Sequence, residues 1–153
     1  MLKLTFIGFL LVCVTVIVHA FGTALWLQLL VKYSTNLGKA YHLLKVLVVT
    51  SALFLLLHFI EIMLWAITYR QLVAADELKS FGEAFYFSIV TFTTLGYGDI
   101  TLSDQWRILS GVEAVNGILL VGWTTALLFA VIQKAIKNAF AEKQKNIEKR
   151  DTQ

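Results

Sequence analysis

One stretch of this 153-residue chain concentrates its chemistry in the backbone rather than in side chains. It reads Thr91-Phe92-Thr93-Thr94-Leu95-Gly96-Tyr97-Gly98-Asp99, two glycines alternating with bulkier residues. Glycine adopts backbone conformations that other residues resist, so such a strand can aim successive carbonyls one way instead of pairing them in a sheet. Four strands of this kind around an axis stack rings of carbonyl oxygens that replace the water shell of a cation. The Thr94 hydroxyl adds a further ring at the inner end. Asp99, just outside, either concentrates cations at the mouth or bonds to a neighbouring helix.

The other chemistry-bearing residues lie within long apolar runs. Ionisable groups in such runs are functional candidates by default. Glu113 is expected near the back of the glycine-bearing strand, with structural support as its favoured role and proton-dependent gating as the alternative. His58 and Glu61 stand three apart and share a helix face. Antiparallel packing brings His19 and His58 to similar depth, with the rotation about each helix axis left open. No catalytic constellation is visible. The three histidines are scattered, and the single thiol, Cys13, lies in an apolar run, which excludes an intrachain disulfide. No enzyme activity and no cofactor are expected.

The elements that must position these residues follow from composition. Hydrophobic residues make up 58% of the chain and charged ones 15%, with a mean hydropathy of +0.75. Soluble proteins average roughly 45–50% and about 25%. This is an integral membrane protein. Three runs are long enough to cross a bilayer: Leu4–Val31, Val46–Tyr69 and Ile108–Gln133. A cleaved leader has an apolar region of only about 7–15 residues, so the first run is expected to stay as a span that tilts, bends near Gly22 or frays. Between the second and third runs, Ala84–Phe92 is apolar but too short to cross. It fits a re-entrant half-helix, tolerated at membrane depth only when protein or water shields it.

Lysine and arginine counts set the orientation. Lys32, Lys39, Lys45, Lys134, Lys137, Lys143, Lys145, Lys149 and Arg150 fall on one side, and Lys3, Arg70, Lys79 and Arg107 on the other. The positive-inside rule places the 32–45 loop and the tail in the cytoplasm, and the N-terminus and the 70–107 segment outside. The net charge of +3 is thereby accounted for without a nucleic-acid partner. Ser80-Phe81-Gly82-Glu83 matches the S-x-x-E capping box, so the half-helix should start there and end near Phe92. Its C-terminal dipole end then carries partial negative charge, which favours a dehydrating cation.

Thr94-Leu95-Gly96-Tyr97-Gly98 resembles the TVGYG signature of the potassium channel family. The resemblance extends to the half-helix before it, the aspartate after it and the glycine-bearing helix that follows. It covers roughly 46–133, a two-helix pore module of bacterial type. Residues 1–45 add an N-terminal transmembrane helix and cytoplasmic loop, and 134–153 form a short basic cytoplasmic tail. The implied fold is an all-α membrane protein: three transmembrane helices, a re-entrant pore helix and a selectivity-filter loop, assembled as a homotetramer. The implied function is passive, potassium-selective conduction across a plasma membrane, the bacterial inner membrane, with K+ held at Thr94, Leu95, Gly96 and Tyr97. A weakly selective cation channel, or a non-conducting sensor or adaptor that keeps a pore motif, is the alternative.

Family likeness also implies roles around the filter. Thr91, Thr93 and Asp99 support it or line its mouth, and Tyr86 and Phe87 stand where the family often carries a tryptophan pair that cuffs it. Leu95 departs from the usual valine, and Val90 occupies a position where some members place a glutamate. Gly117 and Gly122 lie where similar channels hinge, with close helix packing as the competing role. Helical spacing then turns Thr124, Thr125, Leu128 and Ile132 towards the cavity. The tail either extends the inner helices as a bundle or lies solvated near anionic lipid.

Overall fold

Lipid offers no hydrogen-bond partner to a peptide group, so long apolar runs fold as uninterrupted helices. The computed structural model describes residues 2–33, 40–74 and 76–151. Among these it holds four helices: α1 (Leu2–Tyr33), α2 (Ala40–Leu72), α3 (Phe81–Phe92) and α4 (Arg107–Asp151). Three are long and apolar enough to cross a membrane, over Leu2–Leu30, Tyr41–Leu72 and Arg107–Ala141. The protein is therefore an all-α membrane protein, as its composition implies. Most of the loop expected in the cytoplasm, residues 34–39, and the last two residues of the tail lie outside the described residues.

Each helix runs past the limits set by hydropathy alone. α1 passes Gly22 as continuous helix. That glycine serves packing, since a Cβ there would lie 2.8 Å from a Leu57 methyl. Gly8 plays the same part against Leu109 and Val112 of α4. Small residues let membrane helices approach closely where no hydrophobic effect drives them together. Likewise α4 does not end at Gln133 but carries on through Asp151.

α3 starts where the capping box places it. Ser80 is extended and accepts the Glu83 N–H at 3.1 Å, but the Glu83 carboxylate accepts the N–H of Lys79, one residue earlier than the reciprocal pattern expects. The core gathers around this half-helix. Trp65 and Tyr69 of α2 pack with Ala84, Phe87 and Phe92 of α3 and with Leu109 and Leu120 of α4. Beyond α2, Glu77 accepts from the backbone N–H and hydroxyl of Ser103, at 2.7 and 2.9 Å, tying the segments that precede and follow α3 together. α1 lies outside this unit, against α2 and α4.

Candidate functional site: the strand after the half-helix

The chain leaves α3 through a run of backbone bonds that no side chain could replace. Thr93 N–H donates to Ile89 and Thr94 N–H to Thr91, while Leu95 and Gly96 both donate to the Val90 carbonyl. The last turn of α3 is thus capped by the strand itself. Along that strand φ is +59° at Thr94, +54° at Gly96 and +77° at Gly98. Leu95 and Tyr97 between them keep the ordinary hand. In a β-strand all residues share one hand and successive carbonyls alternate sides. Alternating hands turns each peptide plane back, so successive carbonyls face one side. Glycine takes positive φ freely, but a β-branched threonine is strained there, by about 1–3 kcal/mol. The Thr94 N–H bond to Thr91 and the paired bonds at Val90 hold it in place.

The flanking residues are anchored from three directions. Tyr86 donates its hydroxyl to the Asp99 carboxylate at 2.7 Å, joining the half-helix to the strand's outer end. That bond favours the neutral phenol and raises the Tyr86 pKa above its usual value. Phe87 is buried edge-on against Tyr69, at 5.1 Å between ring centroids. The Thr93 hydroxyl bonds back to Ile89 at 2.7 Å, and Thr91 supplies the carbonyl that receives Thr94. Leu95 and Tyr97 are 55% and 66% exposed, so a single chain leaves the strand uncovered.

Behind the half-helix, Glu113 of α4 is fully buried and accepts from the Ser88 hydroxyl, which also approaches the Ile62 carbonyl of α2. Arg107, at the start of α4, pairs with Asp104 at 2.9 Å. Ser88 was not legible as a site residue. Its only sequence signal is one hydroxyl on an otherwise apolar half-helix face. The two glycines of α4 separate sharply. A Cβ on Gly117 would overlap the Phe92 carbonyl, so α4 crosses the end of α3 at that glycine. Around Gly122 there is open space.

Lower down, a second polar cluster joins three helices. His19 of α1 and His58 of α2 stack at 5.4 Å, and each places Nδ1 2.8 Å from a different oxygen of Glu61. Thr124 of α4 is buried against both rings rather than turned outward, whereas Thr125 is exposed. Helical spacing alone cannot choose between these faces. Nearer the half-helix, Asn116 donates to Thr15 of α1 at 2.8 Å.

Comparison with known proteins bears on residues 43–134, which match a family model described as ion channel. The two-pore potassium channel 4 of Arabidopsis thaliana is 33% identical over 76 residues, 49% of this chain and 27% of that one. A calcium-gated potassium channel of Thermoplasma volcanium is 36% identical over 61 residues, 39% and 18% of the two chains. A TWiK family potassium channel protein of Caenorhabditis elegans is 35% identical over 66 residues, 42% and 14%. The chain spans about a quarter or less of the length of these curated relatives. No solved structure matches it. The matched region contains the half-helix, the alternating strand and most of both helices that hold them, and on that match the chain belongs to the ion channel family, its curated relatives being potassium channels.

Proposed function

We propose that the protein is a potassium-selective channel, conducting K+ passively across a plasma membrane as a homotetramer. The observation that carries the reading is the alternation of backbone hand at Thr94, Gly96 and Gly98, directly after a half-helix held between two membrane-length helices. One chain supplies one wall of carbonyls and an ion needs a cage, so four copies share an axis. Thr94, Leu95, Gly96 and Tyr97 contribute the carbonyl rings, and the exposed Tyr97 and Leu95 side chains pack behind them against neighbouring copies. Lysine and arginine asymmetry supports an N-terminus outside and a cytoplasmic tail. Leu95 and Val90, the two departures from the family pattern, favour a less selective cation pore as the second reading.

The test is flux from purified protein in liposomes under opposed sodium and potassium gradients, beside a Tyr97→Asp variant. Strong potassium preference that falls at least tenfold in the variant supports the reading. Equal sodium and potassium flux in the parent rejects selectivity and favours the second reading.

A further inference from the structure

We infer that His19, His58, Glu61 and Thr124 form a binding site for a single proton, and that this proton holds α4 to α1 and α2. The cluster is drawn from three helices, and His19, Glu61 and Thr124 are buried while His58 is 13% exposed at its side chain. Its proton count does not close with an ionised Glu61 and two neutral histidines. With Glu61 ionised, both Nδ1 atoms, 2.8 Å away and one on each carboxylate oxygen, must carry hydrogen to bond there. That leaves both Nε2 atoms facing one oxygen, Thr124 Oγ1, at 3.1 Å from His58 and 3.4 Å from His19. A hydroxyl has one hydrogen and can serve one lone pair. With both rings neutral, the other Nε2 confronts an oxygen lone pair.

One added proton resolves both deficits. One ring then donates Nε2–H to Thr124, and Thr124 donates its own hydrogen to the other ring. The proton, held on that ring or on Glu61, cancels the carboxylate charge, leaving a neutral cluster at membrane depth, where an unpaired charge is expensive. A second proton would leave a net positive charge without adding a bond. The other neighbours cannot substitute: Phe54 of α2, Trp123 of α4 and Phe92 at the end of α3 surround the rings and carry no titratable group. The remaining buried acid on α4, Glu113, is eleven residues away, about 16 Å along the helix, and bonds Ser88.

The same three ligating residues form a group that a metal ion could bridge. One observation favours the proton: each Nδ1 sits at hydrogen-bond distance from its own carboxylate oxygen. Thr124 stands two residues beyond Gly122, the α4 glycine with room around it. Loss of the proton therefore loosens α4 where the helix is freest to bend. The proton site stands apart from conduction, but its effect on the pore rests on the channel reading above.

The experiment is a pH titration of the full chain in lipid, labelled with nitrogen-15 at its three histidine rings, beside Thr124→Val and Thr124→Ser. The His19 and His58 rings should respond together, over one pH interval, to the release of a single proton. Thr124→Val should weaken that proton's binding about tenfold, one pH unit. Thr124→Ser should restore it. Potassium flux should change over the same interval in the parent and lose most of that change in Thr124→Val. Ring signals that never change with pH, two independent titrations, or indifference to Thr124→Val overturns the site. Ring signals that respond to zinc and to a chelator overturn it in favour of a metal. Absent flux with an intact coupled titration would count against the channel reading and leave the proton site standing, whereas flux that ignores pH would overturn the coupling to α4.

Discussion

Gly117 and Gly122 stand five residues apart on α4, and nothing in the sequence distinguishes their roles. At Gly117 the obstacle to a side chain is backbone, the Phe92 carbonyl at the end of α3. Backbone in that place cannot shift without moving the strand that follows. Gly117→Ala should therefore destabilise the protein by about 1–3 kcal/mol, as overpacking does, and should also reduce flux. Gly122→Ala meets nothing and gains helix propensity of up to about 1 kcal/mol. Thermal melting in detergent should fall in the first variant and hold or rise in the second. A changed flux in Gly122→Ala with unchanged melting would identify Gly122 as the hinge. Equal melting in both variants would contradict the crossing at Gly117. Leu95, by contrast, was legible as a departure from the family pattern, and its side chain is exposed in a single chain.

At the scale of elements, α3 is the part that must not move, because it delivers the strand. Its start was readable from Ser80 and Glu83, since capping is a local interaction. Its attachment was not, since Ser88 and Glu113 are 25 residues apart and meet only when α4 folds across α3. Ser88→Ala should leave the buried Glu113 carboxyl without that hydroxyl and destabilise the protein by about 2–3 kcal/mol. Glu113→Gln keeps an acceptor for the Ser88 hydroxyl and should lose less than about 1 kcal/mol. Melting of the two variants decides this. If Glu113→Gln were the more damaging, the carboxyl's charge rather than its hydrogen bond would be what anchors α3.

For the whole molecule, the open question is why a two-helix pore carries a third spanning helix. α1 touches both α2 and α4: Thr15 and His19 bond Asn116 and Glu61, and the Trp26 indole N–H donates to Thr50. Removing residues 1–39 would strip one partner each from Asn116, Glu61 and Thr124, all buried. Buried polar groups left alone cost about 1–3 kcal/mol apiece. The truncated chain should therefore melt well below the full one, and its flux should no longer respond to pH. If it melts like the parent, α1 is only a lipid-facing addition.

Membrane residence, the three spans, the half-helix and the identity of the strand were all legible in the sequence, because each depends on local physics. An apolar run of given length has one stable form in lipid, a capping box closes on itself, and a glycine alternation speaks to backbone freedom within a few residues. Which face of α4 meets which neighbour was not legible. A rotation of one residue about a helix axis is about 100°, and no local interaction sets it. Only packing α1, α2 and α3 against α4 placed Gly117 on a carbonyl, Glu113 on Ser88, and two histidines on one carboxylate and one threonine.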